Sequence, residues 1–378
     1  MAKLTDAQRA WCDAHAEETL ALLRAMAVIP APSHQEEKRA AFVKAWLEAQ
    51  GAQGVYIDAA GNVIYPVGVG EDNPVAVVMA HMDVVFPDVE PLPLQEDEDC
   101  LYAPGIGDDT ANLAALMMAA KYIAENGITP EYGLLIVANV CEEGLGNLKG
   151  SKQIMADFAG RVRELISLDG GMTRVCNRAV GSHRMKVTIR AQGGHSYNAF
   201  GNTNAIVQMA ELIRRLYQKE PPQSARTTYN VGVIEGGTTV NSICAECSML
   251  YEFRSESRAC LAEMEAFFRG TIEEMRAAGV TVDVEVLGIR PCSGDVDPTR
   301  LAELTARTAD ILHSVTGGEI RETAGSTDAN SALALGVPAV TIGAIESGRT
   351  HTREEWARKD SLRLGQQVAL MTVLQYGK

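Results

Sequence analysis

At 378 residues the chain exceeds the usual size of one hydrophobic core, so two domains are expected. A content of 46% hydrophobic and 22% charged residues is that of a folded globular protein and excludes a low-complexity chain. The 34 basic against 49 acidic side chains leave a formal net charge of −15, which repels phosphate backbones and anionic lipid and excludes nucleic acid and membranes as expected partners.

Residues 1–18 are polar and mixed in charge, unlike a secretory signal, and no apolar run approaches the roughly 20 residues that span a bilayer. Residues 5–26 have helical spacing, broken by Ile29-Pro30-Ala31-Pro32. Ser33 followed by Glu36 reads as a capping box opening a second helix to about residue 50. Residues 75–80 are a continuous apolar run ending at His81, as in a strand buried on both faces. A helix is predicted over 112–126, and a second buried strand over 133–140 ends at Cys141-Glu142-Glu143. A third, over 165–168, ends at Asp169-Gly170-Gly171. A strand at 337–342 and a helix at 361–376 close the chain. Strands alternating with helices predict an α/β domain with a mostly parallel sheet.

Residues 182–191 alternate polar and apolar instead, then come a helix (203–218), strands (226–234 and 242–253), a helix (258–278) and a strand (281–287). That β-α-β-β-α-β order is the ferredoxin-like split βαβ pattern. Residues 180–290 are therefore expected to form an inserted domain, with 1–179 and 291–378 forming one α/β body. Eight cysteines, at 12, 100, 141, 176, 244, 247, 260 and 292, are too sparse for a disulfide framework, and a cytoplasmic protein is expected. Cys244 and Cys247 form a C-x-x-C, but three apart on one predicted strand they face opposite sides.

In α/β sheets ligands bind beyond the carboxyl ends of the strands. Four polar clusters follow the predicted buried strands or lie in the loops beyond them: His81-x-Asp83, Asp108-Asp109, Glu142-Glu143 and Asp169. Acids ending such apolar strands leave buried charge uncompensated unless a cation neutralises it. With the isolated His351 they point to metal. Imidazole and carboxylate donors without cysteine suit catalytic zinc, with manganese or cobalt as substitutes. Five ligands, His81, Asp108, Glu143, Asp169 and His351, are too many for one open catalytic ion and fit two sharing a carboxylate, about 3.5–4 Å apart in such sites.

These motifs, from Ile29-Pro30-Ala31-Pro32-Ser33 through His81-Met82-Asp83, Gly105-Ile106-Gly107-Asp108-Asp109 and Cys141-Glu142-Glu143-Gly144 to Asp169-Gly170 and His351, resemble the M20 family of metallopeptidases and amidohydrolases over nearly the whole chain. Gly193-Gly194-His195-Ser196, Gly325-Ser326-Thr327-Asp328 and His351-Thr352-x-x-Glu355-Trp356 are most similar to its peptidase T-like branch. The resemblance implies a zinc-exopeptidase-like catalytic domain and an inserted lid and dimerisation domain. It implies that His81 and Asp169 bind one metal, Glu143 and His351 the other, and Asp108 both. Glu142 would be the general base that takes a proton from the metal-bridging water and returns it to the leaving amine, and Asp83 would hold the tautomer of His81. His195 would stabilise the oxyanion, reaching the neighbouring subunit's site in dimeric relatives. Asn241, Arg254, Gly325 and Ser326 match substrate-binding positions, Arg254 as a carboxylate clamp. Asp169, where some members have Glu, resembles the aminopeptidase and desuccinylase side of the family. Where relatives commonly have Lys after the paired aspartates this chain has Thr110, which lowers the expected charge of the cleft by one.

Gly144-Leu145-Gly146 follows a strand but lacks a third glycine at dinucleotide spacing, and Ser196 and Ser326 lack the nucleophile-elbow context. The expected protein is a homodimeric dinuclear exopeptidase of di- and tripeptides acting from the N-terminal end. The alternatives are an N-acyl-amino-acid amidohydrolase and a non-catalytic peptide- or metal-binding member.

Overall fold

In the computed structural model, which describes residues 3–377, the apolar runs become the middle of an eight-stranded sheet. Its order is Tyr56–Ile57, Val63–Val67, Gly133–Asn139, Val75–His81, Val162–Leu168, Ala339–Ile342, Arg174–Ala179 and Arg321–Gly325. The four central strands, from Gly133–Asn139 to Ala339–Ile342, are parallel to one another. Every residue of Val75–His81 and Gly133–Asn139 is buried. Ala76, Val78 and Ala80 enter one core with the helices Ala111–Asn126 and Lys359–Leu374, while Val75, Val77 and Met79 enter another with Lys149–Asp157 and Ala329–Ala334. Two apolar faces leave no solvent side, which is why these strands read as unbroken runs rather than alternations.

The chain divides into two compact units, Met1–Ala179 with Gly294–Lys378, and Val180–Ser293. In the second, the strands Thr227–Gly236, Glu246–Ser255, Gly181–Arg190 and Thr281–Arg290 form one antiparallel sheet in that order. Alternate residues such as Met185, Val187, Ile189, Met249, Tyr251 and Phe253 pack against the helices Ala205–Leu216 and Arg258–Ala277. Among the described residues no helix is long and apolar enough to cross a membrane.

Three local expectations are corrected. The predicted helix over 5–26 is two helices, Asp6–Ala14 and Ala16–Ala27, because His15 leaves the helical region and its ring stacks on Trp11 at 4.1 Å. The predicted strand over 242–253 is interrupted after Ser242–Ile243 and resumes as Glu246–Ser255. The break removes strict alternation, and Cys244 and Cys247 both enter the same apolar core. Ser33 and Glu36 do not form a capping box: the helix Glu37–Ala49 starts without a side-chain cap, and both side chains turn toward the sheet edge instead.

Candidate metal centre

His81 ends its strand fully buried. Its Nδ1 lies 3.0 Å from the main-chain carbonyl of Asp83, which can only accept, so Nδ1 carries the proton and Nε2 faces Asp108 Oδ1 at 3.1 Å. The Asp83 carbonyl thus holds the tautomer, and its carboxylate Oδ1 lies 3.5 Å from the same Nδ1. That carboxylate has other work. Its two oxygens accept the backbone N–H groups of Glu142 and Glu143, each at 2.9 Å, and Oδ2 also accepts the Ser33 hydroxyl at 2.6 Å.

Asp108 stands between two imidazoles. Oδ1 is 3.1 Å from His81 Nε2 and Oδ2 is 3.2 Å from His351 Nε2, which is also 3.2 Å from Glu143 Oε1. Ligand atoms within 4.8 Å of one another form three overlapping groups: His81, Asp108 and Asp169; Asp108, Glu143 and His351; His81, Glu142 and Glu143. All five predicted ligands, and Glu142 with them, therefore come together. His351 sits in the left-handed region at φ 64°, which a non-glycine residue adopts at a cost of about 1–3 kcal/mol.

The electrostatics show crowded acids. Hydrogen bonds donated to the carboxylates of Asp108 and then Glu143 push His351 up to about 10. Burial opposes ionisation of Asp108, but His351 and His81 outweigh it and hold its carboxyl below the usual range. Burial, then Asp108, pushes Asp169 up to about 7, and burial also raises Asp109. Divalent cations would offset the negative charge gathered here. Oxygen and imidazole donors, with one Asp108 oxygen toward each histidine, fit a pair of such ions.

In the second unit His195 pairs opposite Ser242, and the Ser196 N–H donates to the Asn241 carbonyl at 2.9 Å, so His195 and Asn241 are neighbours. The Tyr197 N–H donates to His195 Nδ1 at 3.2 Å, leaving the proton on Nε2 of an exposed ring. Arg254 is engaged by both Glu252 oxygens at 3.0 Å, so its fork is occupied within its own strand. Gly325 ends a strand opposite Ala179, with Cys176 beside it, and Ser326 follows.

The family model described as Peptidase family M20/M25/M40 matches residues 77–375. The chain belongs to this family. A putative succinyl-diaminopimelate desuccinylase of Mycobacterium tuberculosis is 26% identical over 350 residues, covering 89% of this chain and 93% of that protein. Among solved structures, a Staphylococcus aureus tripeptidase is 20% identical with a TM-score of 0.74, covering 94% of this chain and 97% of that one. The aminopeptidase PepT of Bacillus cereus is also 20% identical, with a TM-score of 0.71 and coverage of 96% and 99%. The M20 chain is thus a metal-dependent hydrolase of the peptidase and amidohydrolase kind, with the shared α/β fold.

Further residues hold the loops of the centre without a role that the sequence alone gives them. Glu355, fully buried, accepts the N–H groups of Gly107 and Asp108 at 2.8 Å each and of Gly105 at 3.3 Å. A Cβ on Gly107 would lie 2.4 Å from that of Ser347, so only glycine lets the loop close. Asn112 donates to Asp109 Oδ1 at 2.7 Å and accepts the Ala344 N–H at 2.6 Å. Glu355 stands in the late His351 motif and was legible there as a residue without a role; Asn112 was not legible at all.

Proposed function

We propose that this M20 chain is a dinuclear zinc exopeptidase that cleaves di- and tripeptides from the N-terminal end. The observation that carries the dinuclear part is Asp108, whose two oxygens face different histidines. His81 and Asp169 would hold one ion, Glu143 and His351 the other, and Asp108 both. When bound, the ions supply Lewis acidity toward the scissile carbonyl and acidify the attacking water.

Glu142 accepts a proton at its carboxylate and returns it to the leaving nitrogen, so the amide C–N bond breaks as the carboxylate product forms. It is only 5% exposed, and its backbone is tied to Asp83. Asp83 orients: its carbonyl fixes His81 and its carboxylate fixes the backbone of Glu142 and Glu143. His195, with its proton on Nε2, would donate to the developing oxyanion. In this reading it acts in a cytoplasmic homodimer formed through the second unit, and Asn241, Gly325 and Ser326 touch substrate. Arg254 would bind a substrate carboxylate only by leaving Glu252.

The tripeptidase and the aminopeptidase among the structural neighbours support the peptide reading through their common fold. The desuccinylase relative, matched over 89% of this chain, favours a second one, hydrolysis of N-acyl amino acids. Metal analysis together with a panel of di- and tripeptides, N-acetyl and N-succinyl amino acids tests both. Two zinc ions per chain with peptide cleavage are expected; turnover of acyl amino acids alone would overturn the peptidase reading.

A further inference from the structure

The start of the Glu37–Ala49 helix turns two ionisable side chains inward, Glu36 at 5% exposure and Arg39 at 0%. Arg39 has no carboxylate in direct contact among the described residues. Its Nη1 donates to the Met82 carbonyl at 2.7 Å and the Thr110 hydroxyl at 3.2 Å, and its Nη2 to the Ile29 and Met26 carbonyls at 2.5 and 3.2 Å. Asp83 and Glu36 balance the charge at longer range. A buried guanidinium is costly, and such an arrangement persists where the planar fork is needed.

The Nη2 side of that fork closes the end of the helix Ala16–Ala27, and the Nη1 side reaches the segments that carry the centre. Met82 lies between His81 and Asp83. The Thr110 hydroxyl passes the contact on, donating to the Gly105 carbonyl at 2.7 Å and closing the loop that carries Asp108. Thr110, which stands where relatives commonly have Lys, thus meets the guanidinium of Arg39 from another element.

On the opposite side Glu36 Oε1 accepts the Cys141 N–H at 3.0 Å and its thiol at 3.3 Å. With Asp83 on the next two N–H groups, three successive backbone donors, 141 to 143, end on two buried carboxylates. Cys141 has φ 59°, and such a left-handed residue lets consecutive N–H groups converge on anions.

We propose that Arg39 and Glu36 are positioning residues for the dinuclear centre. Arg39 ties the 81–83 segment to the 105–110 loop, and Glu36 with Asp83 ties the 141–143 turn, so that ligands from three chain segments meet in one register. The inference rests on the dinuclear reading above and goes beyond it, since neither residue touches metal or substrate.

The test uses the full chain, stripped with chelator and titrated with Co2+ by calorimetry and visible absorption. Fewer than two Co2+ per wild-type chain would overturn the dinuclear reading and this inference with it. With two bound, Arg39→Lys, shown folded by circular dichroism, is expected to lose on the order of 10- to 100-fold in Co2+ affinity and to change the absorption band, because one ammonium cannot hold the Met82 and Thr110 acceptors of Nη1 together with the Ile29 and Met26 carbonyls of Nη2. Glu36→Leu is expected to do the same, and Glu36→Gln, which keeps an acceptor for the Cys141 N–H, to recover most of the affinity. A merely structural role would lower Tm and leave affinity and band as in the wild type. That result in Arg39→Lys and Glu36→Leu would overturn the inference while the dinuclear reading stands.

Discussion

The first unit holds Arg39, Asp83, Asp109, Asp328 and Glu355 at 0% exposure, whereas the second buries only one charged side chain, Arg290 at 4%, among its described residues. The second unit's interior is instead apolar, with Met249, Tyr251, Phe253, Met264 and Phe268 at its middle. A small unit built that way gains stability from nearly every side chain it covers. The first takes on the desolvation of several charges, a cost that only hydrogen bonds and a cation can offset. Buried charge thus separates a unit built mainly for stability from one built around a reaction.

The sharpest way to break that contrast is at Glu142. Glu142→Ala should lower kcat on the order of 10²- to 10⁴-fold while two metals stay bound, as read by steady-state kinetics and metal analysis. Retained turnover would show that its burial serves only structure. Phe253→Ala in the second unit should cost about 3–5 kcal/mol in denaturant unfolding with metal content unchanged. Loss of metal in that variant would mean that the units are not independent in this respect.

Chelation makes the reverse experiment. If the free metal stands at about 100 times its Kd at each site, removing it should cost the first unit about 2.7 kcal/mol for each of the two ions. Amide hydrogen exchange should then rise around 81–83, 105–110 and 141–143 and stay unchanged in the second unit. Equal loss of protection in both would erase the distinction.

The smallest effect is a pH slope in the second unit. Burial, helped by Arg269 and opposed by Glu265, holds His183 below its ordinary value. A histidine depressed on folding favours the neutral form, so its contribution is present above about pH 6.5 and is lost as pH falls below that. Acidification from about pH 7.5 to 5 should weaken the second unit, and His183→Gln should flatten that dependence in thermal unfolding.

The ligands were legible because apolar runs and their polar ends lie on one line of sequence. A run of the kind seen at 75–80 announces a strand covered on both faces, and His81 must then emerge at its carboxyl edge. The same logic places Asp169 and the Glu142-Glu143 pair. Asn241 beside His195 was not readable that way, since a short two-residue ladder with no periodicity joins them.

By itself the sequence determined the α/β architecture, the alternating second unit and the residue types that gather at one sheet edge, because periodicity and burial are set by nearest neighbours along a strand or helix. Only the tertiary structure decided how those residues are held. The Asp83 carboxylate serves the backbone 59 and 60 residues away, and Glu355 receives N–H groups about 250 residues back. Ser33 and Glu36 look like a helix cap because a cap needs the same acceptors that a buried turn needs. Arg254 looked like an open clamp because nothing in one dimension shows that Glu252, two residues before it on the same face of the strand, closes it. Hydrogen-bond partners are chosen in space, after the chain has folded.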